Sequence, residues 1–74
     1  MITAPNVRQH SLRFDQATPA ILYIGEGSFG ALDADAAWRI RRLETVGNIT
    51  EILYADGNDF YDNIWDNRAI LTYL

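Results

Sequence analysis

Seventy-four residues without a cysteine allow one small domain, with neither a disulfide framework nor a thiolate zinc site to reinforce it. Ten acidic residues against six basic ones leave a net charge of −4. That balance argues against a general nucleic-acid binder, which needs a basic stripe, and no stretch approaches the roughly 18 apolar residues of a membrane-crossing helix.

Residues 1–19 carry both prolines, Pro5 and Pro19, with little periodicity, and read as an extended N-terminal arm that orders only against another surface. Its first ten residues lack the basic-then-apolar pattern of a secretory signal, and the single His10 has no nucleophile patterned around it. Residues 20–74 are expected to form a single small β domain. Ala20–Ile24 is a short apolar run suited to a buried strand, and Gly25–Gly30 reads as a glycine-punctuated loop. Residues 37–44 fit two descriptions. As a strand, Trp38 and Ile40 face one side and Arg39 and Arg41 the other; as a helix, Asp33 or Asp35 caps a stripe of Ala36, Ile40 and Leu43. Val46-Gly47-Asn48 followed by the strand formers of 49–55 favours the hairpin, 37–45 against 49–55. Asp56-Gly57-Asn58 is a turn signal; 60–68 suits one or two helical turns, and 69–74 a terminal strand. The expected fold is mainly β: a small antiparallel sheet or partly open barrel of about four strands, one short helical turn and the extended arm. Trp38, Ile40, Phe60 and Trp65 are its expected core.

Three motifs carry chemical readings. Gly25-Glu-Gly27-Ser-Phe-Gly30 matches G-x-G-x-x-G after a strand, the spacing that lets a pyrophosphate approach a helix N-terminus. A chain this short cannot build the doubly wound sheet around such a site, so a loop between strands is the preferred reading. Asp56, Asn58, Asp59, Asp62 and Asp66 suggest a calcium loop, yet Gly57 stands at the wrong position and no Glu closes it. These side chains are better read as caps and turn acceptors. Trp38 and Trp65 with Arg39, Arg41 and Arg42 suggest a base-stacking surface, against which the acidic balance counts.

The basic residues are all Arg, with no Lys, beside two Trp and four Tyr. Arg is favoured over Lys at interfaces because its planar fork pairs bidentately and stacks on rings. Arg8, Arg13, Phe14, Arg39, Arg41, Arg42, Tyr61 and Arg68 are therefore the expected protein-interface residues. No catalytic, cofactor-binding or metal-binding residue is expected, and no cofactor.

Tyr23-Ile-Gly-Glu26, Ala37-Trp-Arg-Ile-Arg-Arg42 and the long closing string Tyr54-Ala-Asp-Gly-Asn-Asp-Phe-Tyr-Asp-Asn-Ile-Trp-Asp-Asn-Arg-Ala-Ile-Leu-Thr-Tyr73 carry a resemblance over about residues 22–74. The chain resembles short structural proteins associated with tailed-bacteriophage virions, whose closing pattern runs A-D-G-x-x-F-D-N-x-W-D-N-R-A-S-L-T-Y. Two departures stand out: Tyr61 is inserted between Phe60 and Asp62-Asn63, and Ile70 replaces the usual Ser. The resemblance implies a non-enzymatic, multicopy virion component of the tail or neck, or one attached to the capsid. Its partners would be other virion proteins and copies of itself, with neither membrane nor nucleic acid. The weaker alternatives are a nucleotide-binding module using Gly25–Gly30 and a single-stranded nucleic-acid-binding module.

Overall fold

The hairpin anticipated across Val46-Gly47-Asn48 is the centre of the architecture, and its loop is the two residues Gly47-Asn48. In a computed structural model that describes residues 10–74, Ala36–Val46 (β3) pairs antiparallel with Ile49–Tyr54 (β4), with Val46 opposite Ile49. Gly47 takes the positive φ of 63° at the first loop position, as a type II′ turn requires to match the strand twist. On its other side β3 pairs with Ile21–Ser28 (β2), and β2 pairs with His10–Thr18 (β1). The result is an open antiparallel sheet in the order β1-β2-β3-β4. A two-residue strand, Asn63–Ile64 (β5), joins β3 near Trp38, beyond the stretch that β4 occupies. One 3-10 turn, Trp65–Asn67, follows it.

Three expectations are corrected here. Residues 10–18 of the expected arm are β1, the first strand of the sheet, so the domain begins before residue 20; residues 1–9 lie outside the described residues. The strand escaped notice because its core-facing side chains are Arg13 and Asp15, not apolar groups. Gly25–Ser28 continue β2 and are not a loop. The terminal strand at 69–74 shrinks to its last three residues: Tyr54 and Leu74 exchange backbone hydrogen bonds of 3.0 and 3.1 Å, and Asp56 N donates to Thr72 O at 2.7 Å. Before them, Ile70 N donates to Asn67 O at 2.9 Å and closes a turn.

Cross-strand partners share a face, and register sorts the sheet into an inner and an outer side. The inner side presents Tyr23, Gly25, Gly27, Trp38, Ile40 and Leu53 to the segment 55–74, which folds back across it. Trp38, Ile40 and Ala55 are fully buried, with Tyr23, Trp65 and Tyr73 nearly so. Trp38 and Trp65 meet at 6.0 Å between ring centroids, and Tyr23 and Tyr73 at 5.8 Å. The glycines make this possible. A Cβ on Gly25 would stand 2.5 Å from a Trp65 ring carbon, and one on Gly27 3.0 Å from Trp38. Phe60, expected in the core, is 61% exposed, whereas Asn63 two residues after Tyr61 is buried opposite Trp38. The turn explains the exchange: Asp56 and Gly57 both take positive φ, and Phe60 N donates to Asn58 Oδ1 at 3.0 Å, which carries 58–61 outside the sheet.

Arginines close the inner layer from outside. Arg13 lies over Trp38 at 5.1 Å and pairs with Asp33 at 3.0 Å; Arg68 lies over Trp65 at 4.5 Å and pairs with Asp15 at 2.9 Å. Arg42 lies over Tyr73 at 4.6 Å. The Tyr73 hydroxyl donates to Arg68 O at 2.7 Å, and burial, with Tyr23 adding to it, pushes its phenol above the ordinary value of 10.0. The folded chain thus keeps a proton that the unfolded chain releases above about pH 10. Stability is fully present below that pH and falls as the pH rises beyond it. Urea midpoints are expected to decline as the pH rises above about 10, and Tyr73→Phe to flatten part of that decline.

Candidate interaction surface

The outer side of the sheet carries two neighbouring rows of partly uncovered apolar residues. Along one row β1 places Phe14 opposite Ile24 of β2, Ile24 opposite Arg41 of β3, and Arg41 opposite Tyr54 of β4. The next row runs Gln16, Leu22, Leu43, Ile52 across the same four strands. Leu12 borders the first row on β1. Phe14 is 65% exposed, Ile52 54% and Leu12 44%, and Leu22, Ile24 and Leu43 are half-buried among their neighbours. A shallow groove at one end is lined by Gln16, Pro19, Leu22, Leu43, Thr45 and Thr50. Thr45 and Thr50 hydrogen-bond across β3 and β4 at 2.8 Å.

The opposite border is charged but internally paired. Glu26 accepts from Arg39 Nε at 2.9 Å and from Arg39 Nη2, and Arg41 Nη2 approaches it at 3.3 Å. The hydrogen bond to Glu26 holds the Arg39 guanidinium above its ordinary pKa. Arg39 also lies under the Tyr61 ring at 5.4 Å, so Tyr61 reaches from the 58–62 turn to the rim of this surface. Stacking of a guanidinium on a ring leaves its edge donors available to a second molecule.

Four of the eight expected interface residues, Phe14, Arg39, Arg41 and Tyr61, are therefore brought together on the outer side. Arg13, Arg42 and Arg68 face inward and are engaged within the chain, and Arg8 lies outside the described residues. Leu12, Leu22, Ile24, Leu43 and Ile52 were missed. For Leu22 and Ile24 the signal was present in the unbroken apolar run Ala20–Ile24, because a strand that is apolar on both faces belongs to a sheet buried on both faces.

The chemical readings of the motifs find no geometry here. Residues 36–46 are strand, so no helix N-terminus follows the glycines, and the space a phosphate would need at Gly25 and Gly27 is filled by Trp65 and Trp38. Among the described residues no group of three or more His, Cys, Asp or Glu side chains is placed to hold a metal ion. No helix among them is long and apolar enough to cross a membrane. The chain matches no protein-family model, no curated protein and no solved structure.

Proposed function

We propose that the chain is a non-enzymatic structural protein of a tailed-bacteriophage virion, a multicopy accessory component of the tail or neck that works through protein–protein contacts. On this reading it is made in the host cytoplasm and resides in the particle, with other virion proteins and copies of itself as partners. The observation that carries the contact role is the outer side of the sheet. Contiguous apolar surface rimmed by polar groups marks an interaction site on a small protein, whereas singly exposed apolar residues do not. The virion setting is supported by the resemblance of residues 22–74 to phage structural proteins. The residues that carry that resemblance have structural work here: Trp38 and Ile40 form the core, Trp65 covers Gly25, Arg68 joins Trp65 to Asp15, and Tyr73 ties the end of the chain to Arg68. A pattern composed of packing residues suits a part that is assembled, not one that turns over a substrate. Mass spectrometry of purified, salt-washed virions from the encoding phage is expected to find the chain alongside the tail and neck proteins. Its absence from such particles would overturn the assignment.

A further inference from the structure

We propose that the outer sides of two copies pack face to face across a two-fold axis, closing two open sheets into one β-sandwich. The inference rests on reading the outer side as a contact surface, and it stands apart from the virion assignment. The first argument is what remains to cover that side. Both connecting segments, 29–35 and 55–74, attach to the inner side: Trp38 Nε1 donates to Leu32 O at 2.9 Å, Arg13 pairs with Asp33, and Asp66 N donates to Asp33 O at 3.1 Å. The outer rows receive no such layer from the described residues.

Charge supplies the second argument. An acidic chain of net charge −4 repels its copies wherever carboxylates meet. Strand register places Asp15, Glu44 and Glu51 on the inner side, and the remaining acids except Glu26 lie in the connections. Glu26 alone is carried by a strand on the outer side, and Arg39 and Arg41 pair with it there. This is the surface on which two acidic copies can approach without mutual carboxylate repulsion.

Area is the third argument. Four strands about 4.8 Å apart, over four rows about 6.8 Å apart, give a footprint of about 500 Å² per copy. Two copies together bury about 1,000 Å², the lower bound for a specific interface. Stacked sheets of this kind leave about 10 Å between them, a gap that Phe14, Ile24, Leu43 and Ile52 from each copy can fill.

Sedimentation equilibrium of the full chain over a wide concentration range tests the proposal. The mass is expected to rise from 8.4 kDa to twice that value and stop there. Phe14→Glu puts a carboxylate into the apolar row of both copies, and is expected to weaken association by about tenfold or more. Ile70→Glu, at a site 80% exposed in the turn after the 3-10 helix, is expected to leave it unchanged. Both substituted positions are exposed, and near-ultraviolet dichroism from Trp38 and Trp65 would verify that each variant is folded. A wild-type chain that stays at 8.4 kDa, an open-ended series of larger species, or equal weakening by the two variants would each overturn the proposal. A monomer in solution that is nevertheless found in virions would remove the dimer and leave the proposed function standing. A dimer absent from virions would do the reverse.

Discussion

Adding one methyl group at Gly25 is expected to cost about 3 kcal/mol of stability, the upper end of the range for overpacking. The new carbon would lie 2.5 and 2.7 Å from two ring carbons of Trp65 and 3.2 Å from Trp38. Neither ring has room to withdraw. Trp65 is held between the sheet and the Arg68 guanidinium at 4.5 Å, and Trp38 is fully buried with its indole nitrogen bonded to Leu32 O. For a chain of this length total stability is roughly 4–11 kcal/mol, at 0.05–0.15 kcal/mol per residue, so Gly25→Ala would remove a large fraction of it. Gly30→Ala is the control. Its φ of 86° is strained for alanine, but a Cβ there meets nothing within 4 Å, and the expected cost is only about 1 kcal/mol. Urea unfolding followed by Trp fluorescence separates the two. Equal midpoints for Gly25→Ala and Gly30→Ala would mean that the glycines do not serve ring packing.

Trp38→Ala is expected to be the most damaging truncation, at about 3–5 kcal/mol. The indole fills the centre of the inner side. It touches Gly27 from above, meets Trp65 at 6.0 Å, supports Arg13 at 5.1 Å, and donates the hydrogen bond that anchors the 29–35 connection. Its removal empties the centre of the inner layer and frees that connection at once. Trp38→Phe keeps an aromatic ring and loses the donor, so it is expected to fall between the wild type and Trp38→Ala. The same unfolding measurement orders the three. A Trp38→Ala chain with an unchanged midpoint would contradict the placement of the core.

Much of this arrangement was legible from residues alone. The hairpin of β3 and β4 was written in Val46-Gly47-Asn48 between two strand-forming runs, and Trp38 and Ile40 alternate with Arg39 and Arg41 as a strand with one buried face demands. A period of two says that a strand has two faces but not which face is covered, and in β1 the covered face bears Arg13 and Asp15. Burying aromatics first placed Phe60 in the core, whereas turn geometry at Asp56-Gly57 expels it and buries Asn63. Gly25-x-Gly27 looks like a loop to any local rule, because the rings that require its missing side chains arrive from 11 and 40 residues further along. The outer surface was half legible for a related reason. Arginine beside aromatics does stack, as expected, yet three of the five described Arg–aromatic or Arg–carboxylate sets are spent within the fold, and only Arg39 and Arg41 reach the outer side.

The proposal turns on the outer side of the sheet being occupied in the assembled particle while the centre of the inner side is already filled by the chain itself. The absence of native cysteine makes it directly measurable. Ile52 and Glu51 are adjacent on β4 and point to opposite sides of the sheet. Ile52→Cys and Glu51→Cys chains, each exposed in the isolated molecule, would be alkylated with a maleimide as dilute protein and again within purified virions. The expected result is that Ile52→Cys reacts when dilute and is protected in the particle, whereas Glu51→Cys reacts in both. Equal reactivity of the two positions in virions would contradict the account.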